Sequence, residues 1–175
     1  MKAPWGSKVA EESTREWARE LIDALRARGW RCATAESCTG GGIAVAITDV
    51  AGSSDVFDRG FVTYSNAAKT AMLRVDPALI DAQGAVSEAV AHAMAEGGVA
   101  YSDADCAVAV TGVAGPGGGT PAKPVGMVCF AWAVRDGAVE TETVHFVGDR
   151  ANVRRAAVAH ALGGLLKIVK RPVIT

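Results

Sequence analysis

The segment Ala35-Glu36-Ser37-Cys38-Thr39-Gly40-Gly41-Gly42 holds the chain's densest chemistry, two hydroxyls and a thiol running into three glycines. At the start of a helix such side chains lie beside unpaired backbone N–H groups and the positive end of the helix dipole, a setting that favours an oxyanion or a phosphate. Ser37 is therefore a candidate nucleophile, with helix N-terminal amides as local oxyanion donors. The competing reading is that Ser37 or Thr39 merely caps the helix. Cys38 is a rival nucleophile, because a helix N-terminus also lowers a thiol pKa, although a cysteine nucleophile ordinarily brings a histidine partner.

A serine needs a base. Lys69 suits that role if Asn66 is the N-cap of its helix, since the third helical position disfavours an ammonium. Its neighbours Ala67, Ala68, Ala71 and Met72 would add desolvation, and both effects lower a lysine pKa. Tyr64, just before this helix, would pass a proton or hold the substrate. The plain alternative is a Lys69 whose amine snorkels to solvent. His145 and His160 have no carboxylate or Cys at a ligand spacing, and His92 reads as exposed. GxxxxGK[ST], complete GxGxxG, HExxH, GxSxG and SxxK motifs are all absent, which removes P-loop, Rossmann, zincin and esterase assignments. No metal or cofactor is expected.

These residues need elements to position them. Residues 1–12 read as a loose leader, and Ser13-Thr-Arg-Glu16 as a capping box opening a helix that ends at Gly29. Trp17, Leu21, Ala24 and Leu25 form its buried stripe. Strands are predicted over Trp30–Glu36, Gly60–Tyr64 and Cys106–Val110, and helices over Thr39–Val50, Ala67–Leu73, Asp76–Ala82 and Ser87–Tyr101. Gly112–Lys123, dense in Gly and Pro, reads as a mobile surface loop. Val125–Val134 and Val139–Val147 form a hairpin around Arg135-Asp136-Gly137, and Asp149 caps a last helix over Arg150–Val169. Arg154 and Arg155 fall on what reads as a solvated face of that helix. The order predicts one domain, residues 13–170, of α/β class: a three-layer α/β/α sandwich on a mixed sheet of about five strands.

The composition agrees. At 175 residues with 50% hydrophobic side chains, the chain can bury a sizeable core. A net charge of -1 argues against nucleic acid as partner. Four cysteines without a CxxC pair indicate neither a disulfide framework nor a zinc site and fit a reducing cytoplasm. No signal peptide or membrane span is visible. Twenty glycines exceed the usual share and cluster in two loops. Apolar helices on a small sandwich are compatible with a homodimer.

Taken in order, Thr34-Ala35-Glu36-Ser37-Cys38-Thr39-Gly40-Gly41, Gly52-Ser53-Ser54, Gly60-Phe-Val-Thr-Tyr64-Ser65-Asn66 with Lys69, Gly84-Ala85-Val86-Ser87, Thr111-Gly112-Val-Ala-Gly115-Pro116, Lys123-Pro124-Val125-Gly126 and Gly148-Asp149-Arg150 resemble the CinA C-terminal domain family. The resemblance covers about residues 15–168. It implies the family's fold and, for stand-alone members, hydrolysis of the carboxamide of nicotinamide mononucleotide (NMN) to nicotinate mononucleotide and ammonia in pyridine nucleotide salvage. It also implies Ser37 as nucleophile, Lys69 as base and Tyr64 as the accompanying tyrosine. Thr111 and Arg150 match further site positions, and Thr39, Gly40, Gly41, Asn66, Gly112 and Gly115 would line the pocket. The run from Gly117 to Ala122 departs from the family pattern. Longer members carry an additional N-terminal domain that the leader is too short to replace. Two other readings stay open: a non-catalytic nucleotide-binding module, and a Cys38-dependent amidase acting on another small amide.

Overall fold

A computed structural model describes residues 7–172. Five strands, β1 (Cys32–Glu36), β2 (Phe57–Val62), β3 (Cys106–Gly112), β4 (Met127–Val134) and β5 (Val139–His145), form one sheet in the order β2-β1-β3-β4-β5. β1 runs parallel to β2 and β3, while β3-β4 and β4-β5 are antiparallel, so the sheet is mixed. The helices are α1 (Ser7–Arg28), α2 (Gly42–Thr48), α3 (Asn66–Leu73), α4 (Pro77–Gln83), α5 (Glu88–Ala100) and α6 (Arg150–Val169). Two apolar clusters cover the two sheet faces. One gathers Leu21, Ile43, Val108, Phe130 and Leu162 from α1, α2, α6 and the sheet; the other gathers Leu73, Ile80, Val90, Ala107 and Ala131 from α3, α4, α5 and the sheet. The result is the predicted three-layer α/β/α sandwich.

Local chemistry explains most boundaries. Asp149, Ser87 and Asp76 each accept an N–H from the first turn of the helix that follows, and Pro77 opens α4, where its missing N–H costs nothing. Several boundaries differ from the sequence expectation. Ser13–Glu16 lies inside α1, not at its start. The N-cap of α3 is Ser65, whose Oγ accepts from Ala68, so Asn66 is the first helical residue and Lys69 the fourth. α2 begins only at Gly42, because Gly40 and Gly41 have φ of 59° and 97°, left-handed conformations that glycine adopts without strain. β2 starts at Phe57, three residues before the predicted strand.

The face beneath α5 is built for close approach. Ala33, Ala35, Ala107 and Ala109 present methyl groups there, and a Cβ at Gly98 would meet Ala107 at 3.1 Å. On its other flank α5 touches α3: a Cβ at Gly97 would lie 2.3 Å from the Leu73 carbonyl oxygen. That backbone contact sets the position of the helix carrying Lys69. Gly97→Ala must push α3 away and should lower unfolding free energy by about 1–3 kcal/mol, measured by urea denaturation; an unchanged midpoint would refute the contact.

Candidate active site

Alternation along β1 distributes its last side chains. Successive residues of a strand point to opposite faces, so Glu36 faces α2 and Ser37, just past the strand end, faces the layer of α3. Ser37 extends the ladder, its N–H donating to Val110 at 2.9 Å. On α3, Lys69 and Leu73 share the inward face at i, i+4 spacing, and both are buried. The structure thus brings Lys69 Nζ to 3.0 Å from Ser37 Oγ, residues 32 apart in sequence.

Lys69 is 1% exposed, and its Nζ also donates to the Thr63 carbonyl at 2.9 Å. Among the described residues no carboxylate lies within ion-pair distance of it. Burial therefore pushes its pKa down, because the ammonium loses hydration without gaining a counter-charge. Of the two expected causes, desolvation is the one that burial supplies. The snorkelling alternative is excluded by the same burial.

Glu36, to which no role attaches from sequence alone, is fully buried and organises the turn after Ser37. Its Oε2 accepts from Thr39 Oγ1 at 2.7 Å, Gly41 N at 3.1 Å and Ile43 N at 3.0 Å, and its Oε1 from Ala44 N at 2.9 Å. The amides of Gly40 and Gly42 are taken by the Ser37 and Thr39 carbonyls. The helix N-terminal amides expected to receive an oxyanion are thus already occupied. Among the described residues only the N–H groups of Cys38 and Thr39 in this turn have no acceptor. The alternation of β1 was the available signal: a buried acid one residue before Ser37 has to face the opposite side, where the next helix begins.

Tyr64 is 58% exposed, and its hydroxyl accepts from Arg150 Nη2 at 2.9 Å. Arg150 Nη1 also donates to the Gly115 carbonyl at 2.9 Å, so Tyr64, Arg150 and the Gly115 loop form one wall. No hydrogen bond links Tyr64 to Ser37 or Lys69 among the described residues. Thr111 is buried at the end of β3 and donates to the Ala85 carbonyl at 2.8 Å, joining that strand to the segment between α4 and α5. Gly112 closes β3, and Asn66 lies exposed at the start of α3. Of the expected surface loop over Gly112–Lys123, residues 116–122 are exposed, whereas Gly112 belongs to β3 and Ala114 and Gly115 are buried.

Two expectations for α6 change. Arg154 is not a solvated residue: its Nε donates to the Cys38 carbonyl at 3.2 Å and its Nη2 to the Thr39 carbonyl at 3.1 Å. Its i, i+4 relation to Arg150 was the overlooked signal, since both then share one helix face. His160 pairs with Glu142 at 2.9 Å, beside Phe130 and Trp132. Among the described residues no three His, Cys, Asp or Glu side chains converge as a metal site, and no helix is long and apolar enough to cross a membrane.

Fold and site together define an α/β/α protein with a serine and a buried lysine in contact at the carboxyl end of a central strand. The chain belongs to the CinA C-terminal domain family, whose model matches residues 14–169. Nicotinamide-nucleotide amidohydrolase PncC of Enterobacter agglomerans is 51% identical over 159 residues, covering 91% of this chain and 97% of that protein. A CinA-like protein of Akkermansia muciniphila is 47% identical over 170 residues, but there the chain spans only 41% of the relative. The crystal structure of competence/damage inducible protein CihA from Agrobacterium tumefaciens matches with a TM-score of 0.88 at 46% identity, covering 91% of this chain and 96% of that one.

Cys38 belongs to the apolar cluster under α6, and burial pushes its thiol up to about 12, the reverse of the lowering expected at a helix N-terminus. It is a protonated core residue at neutral pH. Iodoacetamide should leave Cys38 unmodified in the native protein and alkylate it in urea, read by peptide mass spectrometry. Rapid native labelling would show a thiolate and revive it as a nucleophile.

Proposed function

We propose that this protein hydrolyses the carboxamide of nicotinamide mononucleotide to nicotinate mononucleotide and ammonia, in pyridine nucleotide salvage, with Ser37 as nucleophile and Lys69 as base. The carrying observation is the 3.0 Å contact between Ser37 Oγ and a wholly buried Lys69 Nζ. The substrate follows from family membership and from the PncC relatives, whose name states the amide and the nucleotide.

Neutral Lys69 takes the Ser37 proton directly, as the contact requires no relay through Tyr64. Ser37 Oγ bonds to the amide carbon, and the carbonyl electrons move to oxygen, where the Cys38 and Thr39 N–H groups receive the charge. Collapse restores the carbonyl and breaks the C–N bond; Lys69 returns its proton to the departing nitrogen, which leaves as ammonia. Water then attacks the acyl ester, gives its proton to Lys69, and Ser37 departs with that proton, leaving nicotinate. Arg150 and Tyr64 border the nucleotide, and the guanidinium's forked donors suit its phosphate. Thr39, Gly40, Gly41, Asn66, Thr111, Gly112 and Gly115 complete the lining.

Ammonia release from NMN tests this reading against a binding module without turnover. Ser37→Ala should lower kcat by about 10⁴-fold or more while retaining NMN binding; wild-type turnover in that variant would refute the nucleophile. For the base, kcat/KM should rise with pH through the lowered pKa of Lys69, because only the neutral amine accepts a proton, and its midpoint should fall below 10.5. Lys69→Ala should abolish that limb, and an unchanged profile would remove Lys69 from the mechanism.

A further inference from the structure

We propose that Arg154 is a positioning residue that aims the oxyanion-binding Thr39 N–H of the Ser37 turn by holding the carbonyls of Cys38 and Thr39. The inference rests on the serine-nucleophile reading above.

The backbone polar groups of residues 37–39 can each be followed to a partner or to none. The Ser37 N–H donates to Val110, and the Ser37 carbonyl accepts from Gly40 at 3.0 Å. Thr39 Oγ1 donates to Glu36. The Thr39 carbonyl accepts from Gly42 at 3.0 Å and from Arg154, while the Cys38 carbonyl accepts from Arg154. What remains, among the described residues, is the N–H of Cys38 and that of Thr39, both in buried residues. Buried amides are rarely left without an acceptor. Two in succession beside a candidate nucleophile point to an oxygen supplied by a ligand.

Direction follows from the peptide group. In a trans peptide the C=O and the following N–H are coplanar and antiparallel, and the one cis bond among the described residues is Gly115-Pro116. Arg154 draws the Cys38 carbonyl toward α6, so the Thr39 N–H is turned away from α6. α6 lies in the layer of α1 and α2, whereas Lys69 reaches Ser37 from α3 in the opposite layer. The amide is therefore aimed to the side where the reacting carbonyl would meet Ser37 Oγ. Without the guanidinium, the 38–39 peptide loses the bond that opposes its rotation, and a flip would present a carbonyl where a donor is needed. The forked donors of arginine reach two successive carbonyls, which a single ammonium cannot do.

The test compares Arg154→Lys and Arg154→Met with Arg155→Met, an exposed neighbour on the same helix, and with Ser37→Ala. Each is assayed for NMN turnover and for binding of pyridine-3-boronic acid, which forms a tetrahedral adduct with a serine oxygen. Both Arg154 variants should lose about 10- to 100-fold in kcat with KM nearly unchanged. Boronate affinity should fall by a similar factor, and Arg155→Met should match wild type. Should the methionine variant not fold, the lysine variant, which keeps the charge on α6, provides the measurement. Wild-type kcat in the lysine variant, a raised KM at constant kcat, or lost kcat with full boronate affinity would each overturn the inference. Those results with an inactive Ser37→Ala protein leave the nucleophile standing. An active Ser37→Ala protein overturns the nucleophile and this inference together.

Discussion

A lysine amine buried against a serine hydroxyl is the constraint around which this structure is arranged. Among the described residues Lys69 has two oxygen partners and no counter-charge, and burial without compensation disfavours its ammonium. Such a group persists only when its helix is held firmly by its surroundings. α3 is so held, capped by Ser65, anchored by Leu73 and pressed against α5 where Gly97 admits the Leu73 carbonyl. The glycine in α5 and the lysine in α3 are parts of one device, because the close helix contact sets how deep the amine sits.

The turn after β1 is held from two sides with opposite charge. Glu36 takes amides from the start of α2, and Arg154 takes carbonyls from the residues before it. A carboxylate accepts and a guanidinium only donates, so each claims the backbone groups the other cannot. Glu36 also removes from availability the helix amides that first suggest themselves as an anion site. Among the described residues the donors that remain in this turn belong to Cys38 and Thr39, and burial in the core pushes the adjacent Cys38 thiol up.

The near-neutral charge of the chain fits this economy. Fixed local donors can hold an anion without a strong overall positive field. Arg150 joins Tyr64 to the Gly115 loop, and Arg154, one turn further along α6, joins the same helix to the Ser37 turn. A single helix face thus links the two loops in which glycine is concentrated.

Much was legible in the sequence because its signals are local. Strand–turn–helix junctions, the cap at Asp149, the Asp-Gly hairpin and the mixed α/β/α architecture all follow from residue type and period within a few positions. The motifs around Ser37, Tyr64 and Lys69 carried the family likeness. The sequence misplaced what depends on packing: it set the α3 cap at Asn66, began α1 at Ser13, assigned Arg154 to solvent and left Glu36 without a role. Only the tertiary structure brings α6 across 116 residues to the Cys38 carbonyl and α3 onto Ser37. Periodicity states which side of an element is buried; what that side meets is decided when the layers close.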